Sequence, residues 1–397
     1  MSANFISVRS QHNGRKITTS FDMVGEWQDA LDASKKSAWW KSVSGDQLEF
    51  FTEYFDDTFA CDEAVANIPF VTNVAPLVFL CDADLHVDTI DEHFLQSLNF
   101  LRTSYARMYP HHKWSGRIHA SNVVYNHIGS PHSNSIVLFS GGVDAVFTAL
   151  ANIAIEPTLV TVWGADIFFG ANNGWEKTNQ ANQEFADRFG LEYVAIKSNF
   201  RTVLNYSWLD PKFGKPVRDN WWHAFQFGTA LSGLTLPLAL HRKSDTIYLA
   251  SDYSYKDPRI LSASDPTLVQ EIRASGAFVK CHDYSASRQD KLQFICDFTR
   301  RYEVIVPLRV CWKSQAGENC GVCDKCMRTT FGILACDSDP ADFTFDFSDE
   351  AHKKIIESIK SGTVSRNVFW KEIVHKLRDS KFKSHVVVQE LFSFFDD

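Results

Sequence analysis

The chain has 397 residues, enough for two to three domains and a large core. With 45% hydrophobic and 22% charged residues it is an ordinary globular composition, and a net charge of −8 argues against broad non-specific binding to nucleic acid or to an anionic membrane, leaving only a local basic groove open. The N-terminal MSANFISVRSQ lacks the basic and apolar stretches of an export signal, no window offers the roughly 18 to 20 apolar residues of a membrane span, and the nine cysteines are odd in number and partly clustered, which favours reduced thiols and metal over disulfides and leads us to expect a cytoplasmic protein.

In chain order, residues 1–130 read as a separate α+β accessory module. FISVRS, HNGR and KITTSF predict a hairpin with Asn13-Gly14 in its tight turn. LVFLCDADL reads as a strand. DEHFLQSLNFLRTSYARMY reads as a helix, with Phe94, Leu95, Leu98, Leu101 and Tyr105 at helical spacing. His111-His112 reads as a solvated loop, and IGSPHSNS (128–135) as a linker. From Ser135 the pattern becomes alternating strand and helix: SIVLF, AVFTALANIA, TLVTVWG, TNQANQEFADRFG, EYVAIKS, the long apolar WWHAFQFGTALSGLTLPLALHRK, and DTIYLAS. That alternation predicts a parallel α/β sheet over 133–340. Beyond 341 the chain is charged and amphipathic, and a C-terminal helical region is expected over 341–397.

The stretch SIVLFSGGVDAVFTAL turns a strand sharply into a helix through Ser140, Gly141, Gly142 and Asp144. Two glycines permit the tight turn and close approach of a ligand. The first N–H groups of the following helix have no intrahelical acceptors and can hold an anion such as phosphate. Asp144 would repel bare phosphate, so it needs a cation such as Mg²⁺ or a donor group. ATP with Mg²⁺ suits this arrangement; an ordinary strand-to-helix turn with an N-terminal carboxylate is the simpler alternative.

A second signal is Cys311, Cys320, Cys323 and Cys326, spaced C-x8-C-x2-C-x2-C. Four thiolates at that spacing can close around Zn²⁺, with Gly321 turning the backbone between them and Lys325 and Arg328 offsetting the charge. An iron–sulfur cluster also takes four cysteines, and four simply buried thiols are the remaining alternative. Cys61, Cys81, Cys281, Cys296 and Cys336 read as core.

The SGGxD loop resembles that of the PP-loop ATP pyrophosphatases. Together with C-x8-CGxCxxC-x-R it resembles the 7-cyano-7-deazaguanine synthase (QueC) family over residues 133–340, including VWGAD (162–166), VRDNWWHAF (217–225) and LASDYS (249–254). The resemblance implies a HUP-like parallel α/β domain with a structural zinc. It implies that Ser140, Gly141, Gly142, Val143, Asp144 and Ala145 hold the nucleotide phosphates, with Trp163, Ser251 and Asp252 near the nucleotide or its adenylate. It also implies that Arg218 offsets charge on the leaving pyrophosphate and that Arg309 or Arg328 lies near phosphate. Asp265 and Arg328 are candidate substrate contacts; Asp265 would accept from the donor edge of a guanine-like base, or else cap the helix begun by Pro266.

The implied reaction adenylates the carboxylate of a 7-carboxy-7-deazaguanine and forms an amide. Three features depart from the synthases: Ala145 replaces the final loop serine, SYKDPRILSASDP replaces a Tyr-Pro-Asp-Cys segment, and the chain is much longer. Longer relatives in bacterial anti-phage operons of the CBASS and Qat types imply an amine of a partner protein as acceptor, recognised by the N-terminal module. A free nitrile synthase and a catalytically silent nucleotide-binding scaffold are the alternatives. No direct nucleic-acid or membrane partner is expected, and a homodimer is left open.

Overall fold

A computed structural model describes residues 4–31, 49–56, 58–126, 132–257 and 260–396. The chain is α/β. Strands β1 (Phe5–Asn13), β2 (Lys16–Val24), β3 (Phe50–Tyr54), β4 (Asp84–Asp91) and β5 (Arg117–Val124) precede β6 (His132–Leu138), β7 (Thr158–Trp163), β8 (Tyr193–Ser198), β9 (Ser244–Ala250), β10 (Arg273–Ala274) and β11 (Ala277–His282). All join one sheet in the order β10-β11-β9-β6-β7-β8-β3-β2-β1-β4-β5. The run β11-β9-β6-β7-β8 is parallel, as are β1-β4-β5.

The sheet does not stop at the expected module boundary. β3 pairs antiparallel with β8, Thr52 opposite Ser198 and Tyr54 opposite Ile196. Strands β1 to β5 therefore share a sheet with the middle of the chain instead of standing beside it. The expected hairpin forms, with Asn13 opposite Lys16 and Gly14 at φ +57°. The linker expected at 128–135 lies partly outside the described residues, and from His132 the chain is already β6. His111 is exposed on a loop as expected, whereas His112 is half-buried, its ring packing against Trp114, Phe213 and Phe225.

β6 is buried on both faces. Ile136 and Leu138 enter one core, Val137 and Phe139 the other. The first core holds helices α1 (Glu63–Ala66), α2 (Ile68–Leu80), α3 (Glu92–Met108), α6 (Tyr206–Leu209), α7 (Phe227–His241) and α8 (Pro266–Val269). The strand expected at LVFLCDADL is in fact the end of α2, a turn, and the start of β4. Nearly every residue of α2 is buried, so it has no polar face to mark a helical period, and its apolar run imitates a buried strand. α7 is the same kind of helix, and the two meet where Gly233 lies against Thr72.

The second core holds α4 (Val143–Ala151), α5 (Asn172–Phe189), α9 (Arg288–Tyr302) and the cysteine knuckle that leads into α10 (Asp324–Leu334). Met327, Phe331 and Leu334 on another side of α10 receive the expected C-terminal helices α11 (Asp349–Lys360), α12 (Val368–Leu377) and α13 (Val386–Asp396). The sheet bends far enough that Asp91, at the end of β4, accepts hydrogen bonds from the N–H and hydroxyl of Ser275 in the β10–β11 turn.

Candidate functional site

The chain leaves β6 toward β7 and β8 on one side and returns as β9 on the other. The carboxyl ends of β6 and β9 therefore flank a switch point, where the following loops diverge and leave a crevice. Residues 140–142 and Ser251 stand at these two ends, and β11 ends beside them at His282.

The glycine loop is built as its residues dictate. Gly141 has φ +76°, and a Cβ there would lie 2.9 Å from Asn182 Oδ1, so only glycine fits without strain. Gly142 N donates to Ser140 Oγ at 3.3 Å. Arg309 locks the back of the loop: its backbone N–H donates to Gly141 O at 2.8 Å and its guanidinium to Ser140 O at 3.0 Å. α4 begins after Gly142 with no side-chain cap, so the N–H groups of Val143, Asp144 and Ala145 point out of the helix without an acceptor from it.

Asp144 is satisfied within the chain. Its carboxylate takes Arg288 at 2.6 Å and Lys291 at 3.1 Å. Burial by itself would raise its pKa, but Lys291 and Arg288 prevail and hold it at about 2. Lys291 has only 1% of its side chain exposed and also donates to Ser251 Oγ at 3.0 Å. The charge of Asp144 therefore does not demand Mg²⁺; two donors on α9 answer it. Asp252 shifts the other way: burial raises its pKa and the charge of Asp144 adds to that, while the Ser264 hydroxyl hydrogen-bonds to its carboxylate. Two neighbouring carboxyls pushed apart in pKa are suited to different protonation states at one pH.

α10 closes one side. Lys325 lies near enough to lower the pKa of Asp144, and Thr329 accepts from Arg288 at 3.4 Å. Arg328 pairs with Asp324 at 2.8 Å and lies 5.4 Å over the ring of Phe369 on α12. The knuckle that starts α10 brings the four thiols of Cys311, Cys320, Cys323 and Cys326 within 4.8 Å of one another. Cys311 and Cys323 Sγ are 3.9 Å apart, Cys320 and Cys326 Sγ 4.0 Å. A tetrahedron with Zn–S of about 2.3 Å needs sulfurs about 3.8 Å apart. Backbone N–H groups of Ser314, Cys323 and Cys326 donate to three of the sulfurs, as thiolate ligands require, and Gly321 takes φ +73° between them. The four cysteines can hold a metal ion such as zinc.

The structure thus gathers Ser140, Gly141, Gly142, Val143, Asp144, Ala145, Ser251, Asp252 and Arg328 into one region. Three expected residues fall elsewhere or are otherwise engaged. Arg218 is exposed, at φ +60° on a turn, with no ion pair among the described residues. Asp265 caps α8, its Oδ1 accepting from Thr267 N at 2.9 Å and from the Thr267 hydroxyl at 2.6 Å, so that oxygen is not free for a base. Trp163 stacks on Trp175 with centroids 5.0 Å apart and planes 3° apart, which occupies a face of its ring. Conversely, Arg288 and Lys291 were not singled out from the sequence. Their signal is local: SRQDK opens a helix with a Ser287–Asp290 capping box just after a parallel strand, which aims its first turn at the strand ends.

A cavity of ≈440 Å³ lies behind the loop, lined by Gly141, Asn182, Arg309, Cys320 and Phe345; none of Asp144, Lys291, Arg288 or Asp252 lines it. Comparison of the chain with protein-family models, with curated proteins and with solved structures finds no match.

Proposed function

We propose that this protein is a QueC-like PP-loop enzyme with a HUP-like core that uses ATP to adenylate the carboxylate of a 7-carboxy-7-deazaguanine and then forms an amide with an amine, the acceptor being an amine of a partner protein in anti-phage defence. The observation that supports this reading most is the uncapped start of α4 beside buried Lys291 and half-buried Arg288: N–H groups without an intrahelical acceptor and two cations paired with Asp144 lie together at the switch point of a parallel sheet. Ser140, Gly141, Gly142 and the N–H groups of Val143 to Ala145 would hold the phosphates. Lys291, Arg288 and Lys325 would offset the charge that grows on departing pyrophosphate, a role first expected of Arg218. ATP would arrive with Mg²⁺ in the usual way, and zinc would fix the knuckle.

The chemistry asks for no side-chain nucleophile. A carboxylate is a poor electrophile, and adenylation supplies a good leaving group; holding both reactants at one sheet edge supplies much of the rate.

The experiment is pyrophosphate release with ATP, Mg²⁺ and 7-carboxy-7-deazaguanine, with intact-mass analysis of candidate partner proteins. Release that depends on the deazaguanine and a mass shift on a partner support the reading; free nitrile without partner modification favours the synthase; bound ATP with no release favours the silent scaffold. Ala145→Ser bears on the last outcome. One regained hydrogen bond to a charged phosphate is worth about 1.5–3 kcal/mol, so the variant is expected to bind ATP roughly ten- to a hundredfold more tightly.

A further inference from the structure

Beside the crevice, three side chains that the adenylation step does not use form a line. Asp219 Oδ2 lies 2.5 Å from His223 Nδ1. His223 Nε2 lies 3.2 Å from the Tyr253 hydroxyl, with the two rings edge to face at 6.1 Å. Tyr253 directly follows Asp252 at the carboxyl end of β9, and its other side faces Phe369 at 6.3 Å. The line is held from behind. His223 N donates to Asn220 Oδ1 at 3.0 Å, and His223 O accepts from Ala263 N at 2.8 Å. It is open in front, with 27% of the His223 side chain and 23% of Asp219 exposed.

We propose that Asp219, His223 and Tyr253 form a proton relay that takes the proton from the attacking amine in the transfer half of the reaction; the inference rests on the adenylation reading above. A carboxylate on Nδ1 fixes the imidazole with its proton on that nitrogen and leaves Nε2 as an acceptor. The Tyr253 hydroxyl donates to Nε2 and can in turn accept a proton from a group on its far side. In the step, the amine nitrogen forms the C–N bond and the bond from the carbonyl carbon to the AMP oxygen breaks. AMP departs with that electron pair as its phosphate oxyanion. The proton lost by the amine passes to Tyr253 as the Tyr253 proton passes to His223 Nε2, so charge and atoms balance without a further reactant.

The electrostatics are consistent. Burial works against a charged imidazole, yet Asp219, by hydrogen bond and by charge, and Asp252 outweigh it and raise the pKa of His223. Burial raises Tyr253 to about 12, with Asp252, Asp219 and Asp144 adding to the rise and Arg328 opposing it, so Tyr253 alone is a poor base at neutral pH and needs the histidine.

The test uses the full chain with ATP, Mg²⁺, 7-carboxy-7-deazaguanine and methylamine as the amine. Exchange of pyrophosphate into ATP reports adenylation, and amide formation reports transfer. In His223→Asn and Tyr253→Phe the ratio of transfer to exchange is expected to fall by about 10²-fold. In the wild type, transfer should rise with pH through a value above that of an ordinary histidine, and His223→Asn should lose that limb. Separately, ¹⁵N NMR of the imidazoles should show His223 with its proton on Nδ1 and a pKa that drops in Asp219→Asn. Transfer and exchange falling together, or a His223 with its proton on Nε2, would overturn the relay. A wild type that shows no exchange would overturn the adenylation reading instead, and the NMR result would still decide whether the three groups are coupled.

Discussion

Replacing Asp144 with asparagine would leave Lys291 and Arg288 facing an amide in a largely buried site. Breaking a buried pair by removing one partner costs about 3–5 kcal/mol, because the remaining charge loses its compensation. Asp144→Asn is therefore expected to lower stability by that order in chemical denaturation. The pH dependence has a fixed sign. The folded-state pKa of Asp144 lies below that of an unfolded carboxyl, at about 2. Its contribution is complete above the ordinary aspartate range of about 4 and is lost as pH falls from there toward 2. The denaturation midpoint of the wild type should carry that acid limb, and Asp144→Asn should lack it.

At the scale of elements, the knuckle and the central helix pair make separate demands. Elemental analysis is expected to find one zinc per chain. Stripping it with a chelator removes the template that closes the four thiols and starts α10, and α10 supplies Met327, Phe331 and Leu334 to the C-terminal helices. Hydrogen exchange should then accelerate over residues 311–391 while β6 and β7 stay protected; uniform protection throughout would show that the cysteines are merely core. The α2–α7 contact depends on a missing side chain. A Cβ at Gly233 would lie 2.4 Å from Thr72 Cβ, both groups on helices buried on every side. Gly233→Ala should cost about 1–3 kcal/mol by overpacking, read as a lower urea midpoint at unchanged slope.

For the whole molecule, the continuous sheet means that the half carrying the glycine loop and the cysteine knuckle should not stand free of the N-terminal strands. A chain beginning at residue 132 would expose the edge of β8 where β3 pairs, and would uncover α7, whose partner α2 lies in the deleted part. Exposed strand edges and a fully apolar helix drive association. Expressed alone, residues 132–397 are expected to be insoluble or to elute as aggregate in size exclusion. A monodisperse, cooperatively unfolding fragment would show that the N-terminal part is an appendage after all.

The sequence by itself determined the pieces with strong local signatures. The strand–SGGVD–helix turn, the amphipathic α3 and α5, the hairpin at Gly14 and the cysteine spacing each depend on neighbours within a few residues, and each forms where the pattern places it. Asp265 was legible only as a choice between a ligand contact and a helix cap, and the tertiary structure shows its Oδ1 in the cap. α2 was not legible, because burial on all sides erases the polar face from which a helical period is read. The partners of Asp144 were not legible either: Arg288 and Lys291 lie 144 and 147 residues away in sequence and meet it only because β11 returns parallel to β9, next to β6. Tertiary packing, not any local propensity, placed His223 against Tyr253, and the β3–β8 pairing fused the N-terminal strands to the sheet. Local chemistry wrote the elements; the strand order decided which of their side chains share a site.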